Sequence, residues 1–131
     1  MRQKLPKINF MRELPFHVLR IGLGATFLWI GIMIFRHPEA WGGYMQPWAF
    51  RLLPVPLAQA MLGTAFLDMA LGILLLLNLF VWFAALAGAM HLIIVLVISG
   101  VTDITVRDIG LLAAALALAA DSWLKPREKI L

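Results

Sequence analysis

Long apolar stretches alternate with short polar ones along this chain, and the lengths of the apolar stretches predict its elements. The first runs over 16–35, enough helix to cross ~30 Å of hydrocarbon at ~1.5 Å per residue. A polar stretch rich in proline and aromatic residues follows, "RHPEAWGGYMQPWAFRLLPVP". Pro38, Pro47, Pro54 and Pro56 oppose one continuous helix there, and Trp41, Tyr44 and Trp48 suit an outer interfacial loop over 36–56. From Leu57 to Ser99 the chain is apolar almost without pause, about twice the ~20 residues that one crossing needs. Asn78, in "LLNLF", is the natural place to turn, which divides the stretch into spans over 57–77 and 80–99. The polar segment "GVTDITVRDIG" then precedes a fourth span over 105–123. The pattern predicts an all-α membrane protein, a four-transmembrane-helix bundle forming one domain over 1–131.

Composition strengthens this reading and charge orients it. Of 131 residues, 63% are hydrophobic and 14% charged, too apolar for a soluble domain of this size to hide. The bilayer is therefore the expected surrounding. The net charge of +4 does not indicate nucleic acid, because the basic residues gather at the two tails. Arg2, Lys4, Lys7 and Arg12 precede the first span, and Lys125, Arg127 and Lys129 follow the last; only Arg36, Arg51 and Arg107 fall in the connections. Positive charge is retained on the cytoplasmic side, so both termini are expected in the cytoplasm of a cell membrane, most simply a prokaryotic cytoplasmic membrane. Trp82 and Trp123 would then mark the inner interface, and Trp41 and Trp48 the outer. The stretch "IMIFRHPEAW" has no small-x-small cleavage site, so the first span is expected to stay as an anchor. The absence of cysteine removes disulfide, dithiol and cysteine-ligated metal chemistry.

Charges inside the spans are the candidate chemistry. Arg20, Asp68 and His91 lie within them, where a charge costs ~2.5–3.5 kcal/mol and normally finds a partner in the bundle interior. Asp68 stands ten residues before Asn78 and His91 thirteen after it. In an antiparallel hairpin that difference is ~4–5 Å of depth, so the two can meet. Arg20 is expected to reach up to Asp68 or down to Asp121. Two readings stand: an internal ion pair that fixes helix register, or a polar pocket that holds a quinone head group or relays protons. His17, His37 and His91 differ in depth and do not form an axial haem pair. No metal site and no catalytic nucleophile is evident.

Two further patterns concern packing. Ala84-x-x-x-Gly88, Ala85-x-x-x-Ala89, Gly110-x-x-x-Ala114 and the Gly24/Gly31 pair are expected at close helix contacts, within the bundle or against another subunit. Thr105 and Asp108 fit a capping box that starts the fourth span, and Asp103 and Arg107 are spaced for an ion pair. The alternative for Asp103, Arg107 and Asp108 is a polar mouth on the outer face of the bundle.

Three segments carry a resemblance. "VLRIGLGATFLWIGIMIF", "LGTAFLDMALGILLLLNLFVWFAALAGAMHLI" and "DITVRDIGLLAAALAL" resemble the spans of the DoxX-like family of small four-helix membrane proteins, over roughly 16–121. Many members have glutamate where this chain has Asp68, and an arginine–aspartate pair opening the last span, as Arg107 and Asp108 do here. The resemblance implies an accessory subunit of a quinone-linked membrane oxidoreductase, partnered by other redox subunits or by its own copies, without covalent cofactor. A non-catalytic assembly subunit, or a small transporter or lipid-binding protein, is the alternative function.

Overall fold

The computed structural model describes residues 6–125, with side chains from residue 12 onward. Arg2, Lys4, Arg127 and Lys129, and the side chain of Lys7, lie outside the described residues. Six helices appear among those described: α1 (Pro6–Arg36), α2 (Pro38–Gly42), α3 (Pro47–Arg51), α4 (Leu57–Leu76), α5 (Val81–Ser99) and α6 (Val106–Leu124). The chain is all-helical over the described residues, and α1, α4 and α5 are each long and apolar enough to cross a bilayer. Helix α6 matches α5 at 19 residues, yet it carries Arg107, Asp108 and Asp121 and is less apolar than α4 and α5.

Helix α1 begins earlier than the apolar run predicts. It spans 31 residues and passes through Pro15, which lacks an N–H and so removes one helical hydrogen bond without ending the helix. Prolines elsewhere act as starts: Pro38 and Pro47 occupy the first turns of α2 and α3, where a missing N–H costs nothing.

The long helices form a ring in the order α1, α4, α5, α6, with its closest seams between α1 and α4 and between α5 and α6. Glycines make the α1–α4 seam. Gly24 lies against Leu75 and Gly72, and Gly31 against Ala65 and Met69; a Cβ added at Gly72 would stand 2.5 Å from the Leu28 nitrogen. Dispersion across so short a gap is what holds helices together in lipid, where no hydrophobic force draws them. Gly88 plays the same part against the Phe27 ring. Gly110 does not: the space where its side chain would be is open, so Gly110-x-x-x-Ala114 is not the close contact its spacing predicts.

The turn from α4 to α5 is tight. Asn78 and Phe80 both take left-handed backbone, with φ of 59° and 48°. Asparagine tolerates this conformation, while phenylalanine there costs ~1–2 kcal/mol, carried by the helices on either side. Near this turn the interior is solid: Phe16, Leu23, Phe27, Leu71, Leu75, Ala84, Ala85, Leu92, Ala115 and Leu118 form one buried cluster.

The other end is closed by the α1–α4 connection. The Gln46 N–H donates to the Ile98 carbonyl (2.9 Å), tying the segment between α2 and α3 to the end of α5. Gln46 Oε1 also accepts from the Trp48 indole N–H at 2.6 Å.

The start of α6 differs from the expected capping box. The Thr105 hydroxyl faces back along the chain, accepting from the Thr102 N–H (2.7 Å) and donating to the Gly100 carbonyl. Thr102 does the capping instead: its Oγ1 accepts from the N–H groups of Ile104 and Thr105, and its carbonyl accepts from Val106. The chain turns over 103–105 before α6 begins, so the donors that Thr105 and Asp108 were expected to satisfy are already taken. Asp103 and Arg107 are exposed and form no ion pair with each other among the described residues, because α6 does not extend back to Asp103.

Candidate functional site

A cavity of about 730 Å³ occupies the half of the bundle away from the α4–α5 turn. Each wall follows from helical periodicity. Met61, Thr64 and Asp68 recur at one-face spacing on α4, and His91, Val95 and Ile98 do so on α5. Thr26, Ile30 and Met33 supply α1, and Arg107, Asp108 and Leu111 supply α6. Trp41, Tyr44, Met45 and Leu53 roof it. Phe27 and Leu92 belong to both the lining and the solid core, so they mark the floor.

Asp68 is the feature that sets this cavity apart. Only 3% exposed, it stands beside the floor with His91 Nε2 at 3.2 Å from its Oδ1. The distance suits a hydrogen bond but the direction does not, and Oδ1 is left buried without a hydrogen-bond donor. A buried carboxylate oxygen in that condition costs free energy, about 1–3 kcal/mol or more for a charged group, unless a partner arrives. Asp108 faces the same space, half-buried, near enough to act electrostatically on both Asp68 and His91. Arg107 is exposed at the rim. Thr64 spends its hydroxyl hydrogen on the Ala60 carbonyl (3.2 Å) and keeps its acceptor capacity toward the cavity.

Arg20 lies elsewhere. It is 7% exposed and donates from Nη1 to the carbonyls of Leu75 (2.6 Å) and Leu76 (3.0 Å), at the end of α4. His17 Nδ1 supports it, 3.3 Å from Nε and 3.1 Å from Nη2. The last carbonyls of a helix have no partner within it, and a cation at the negative end of the helix dipole satisfies both demands. Arg20 forms no ion pair with Asp68 among the described residues. The sequence grouped Arg20, Asp68 and His91; the structure brings together Asp68, His91 and Asp108, with Arg107 at the rim, and leaves Arg20 at the opposite end and Asp103 outside.

Several contributors escaped the sequence analysis. Met61 and Thr64 were visible only as the residues one and two turns before Asp68 on its face. The partnership of His17 with Arg20, three positions apart, was legible but was weighed only for haem. Nothing in the sequence marked Gln46 as the anchor of the roof.

The cavity is apolar with polar groups gathered at one side, the character of a site for a small amphipathic molecule. No cluster of three or more metal-ligating side chains occurs among the described residues. Comparison with the profiles of known families, with curated proteins and with solved structures finds no match to this chain.

Proposed function

We propose that this chain is a four-span subunit of the DoxX-like kind, with both ends in the cytoplasm, that binds a quinone for a larger membrane oxidoreductase. The observation that carries the reading is the buried Asp68–His91 pair, 3.2 Å apart with no well-directed hydrogen bond to Asp68 Oδ1, at the floor of a cavity of about 730 Å³. A quinol hydroxyl would give Asp68 the hydrogen bond it lacks, and a quinone carbonyl would accept from the His91 ring. The apolar walls of Phe27, Ile30, Met33 and Met61 suit the ring and the start of its tail. In the bundle, α6 is the fourth span: its charged start lies at the membrane edge, and its buried Ala115, Leu118 and Ala119 pack at the solid end. In this reading the chain holds the quinone, and partner subunits move the electrons.

The test is equilibrium binding of a ubiquinone analogue to the chain in lipid nanodiscs, with Asp68→Asn and His91→Ala beside the parent. The expected result is binding by the parent, weakened about ten-fold or more in either variant, with folding intact. Equal binding by all three would sink the reading. Purification in mild detergent with its partners retained should bring down other redox subunits.

A further inference from the structure

The cavity is not sealed on every side. Gly24, Leu28 and Gly31 turn one face of α1 onto α4, so Thr26, Ile30 and Met33 lie away from that seam, toward α6, its other neighbour in the ring. Trp29 stands beside them, 68% exposed, and still lines the cavity. Opposite, Arg107, Gly110 and Leu111 line it from α6, and Gly110 is exposed with open space where a side chain would be. Residues that line an interior cavity and are also exposed on the flank of two neighbouring helices mark a slot between those helices. The slot runs along α1, one of the helices long enough to cross a bilayer, and apart from Thr26 and the rim residue Arg107 the walls named are apolar. Thr26 adds no free donor, since its hydroxyl is committed to the Gly22 carbonyl at 2.8 Å.

We infer that the slot between α1 and α6 is a lateral doorway from the bilayer, in which the hydrocarbon tail of a membrane-dissolved ligand lies across Gly110 while its polar head rests at Asp68. The inference builds on the proposed quinone site and adds the class of ligand, a head group carrying a long apolar tail, and the direction from which it comes. The polar demand of the cavity is concentrated at Asp68 and His91, and the path from there past Met33 and Leu111 to lipid is greasy. A molecule matching both ends must be polar at one end and hydrocarbon at the other. Glycine at 110 lines the cavity and leaves this flank open, with nothing within 4 Å of where a Cβ would stand.

Gly110→Phe tests this, with Gly63→Phe as control. Gly63 is equally exposed on α4 with nothing within 4 Å of an added Cβ, and it does not line the cavity. Neither change meets packed atoms, so both variants should fold. Binding in nanodiscs is measured for decylubiquinone and for its head group alone, the same dimethoxy-methyl-benzoquinone without the decyl tail, which is small enough to use the cavity alone. The expected result for Gly110→Phe is about ten-fold or greater loss of affinity for decylubiquinone, with the tail-less quinone bound as before and Gly63→Phe unaffected for either. Decylubiquinone bound by Gly110→Phe as by the parent overturns the doorway while leaving the cavity site standing. Equal loss for both quinones overturns it too, by placing Gly110 at the head-group site. If the parent chain binds neither quinone, the cavity reading fails and the doorway falls with it.

Discussion

The two ends of this bundle are built from the same helices and are opposite in kind. Around the α4–α5 turn, leucine, alanine and phenylalanine fill the interior, and the one buried charge, Arg20, has two carbonyls and an imidazole within hydrogen-bond distance. At the far end the same four helices surround a hollow, and its buried charge, Asp68, has His91 Nε2 3.2 Å from an oxygen that receives no well-directed hydrogen bond. Both residues are ionisable groups in apolar spans, and by sequence they look alike. The contrast teaches that burial of a charge says little about its purpose; what matters is whether the protein itself completes its hydrogen bonds. Arg20 is complete and serves the fold. Asp68 keeps an imidazole at 3.2 Å and an oxygen with no well-directed donor, so it has room for one more partner.

That contrast can be attacked in four places. Gly72→Val should do the most harm, since its added atoms collide with Leu28 and Gly24 backbone across the α1–α4 seam; a loss of roughly 3 kcal/mol is expected in reversible unfolding in detergent. Arg20→Met should cost about 2 kcal/mol in the same measurement, by taking the guanidinium from the Leu75 and Leu76 carbonyls, of which Leu75 keeps only the Asn78 N–H, with quinone affinity of the folded fraction unchanged. At the hollow end, Thr105→Val removes the hydroxyl that joins Thr102 to Gly100, and about 1 kcal/mol is expected. Asp68→Asn should move stability by less than about 1 kcal/mol, because losing the ion pair with His91 and relieving a buried charge oppose each other, while quinone binding falls. A loss of stability at Asp68 as large as at Arg20 would erase the distinction between the ends.

What the sequence made legible follows from which forces act locally. Apolar run length reveals helices because each must span or be buried, and the all-helical class came directly from it. The prolines at 38 and 47 were legible as helix breaks, though not as the starts of two short helices. The meeting of Asp68 with His91 follows from depth counting about Asn78. The partner of Arg20 did not, because backbone carbonyls at a helix end leave no mark in the side-chain pattern. Thr105 and Asp108 matched a capping motif that the structure does not use, since the Thr105 N–H goes to Thr102 Oγ1 and the Asp108 N–H to the Thr105 carbonyl. The hollow itself was invisible: Met33, Met61 and Leu111 read as ordinary apolar positions, and only the arrangement of four helices shows that nothing fills the space between them.

The left-handed turn at Asn78 and Phe80 has a consequence for how the molecule is made. It joins two halves whose own internal seams, α1 with α4 and α5 with α6, are closer than the seams between them. Each half is a helical hairpin whose tightest seam lies within its own stretch of chain. The cavity takes walls from both hairpins and exists in neither alone. It is a property of the joint between the halves, and it depends on the turn that holds them face to face.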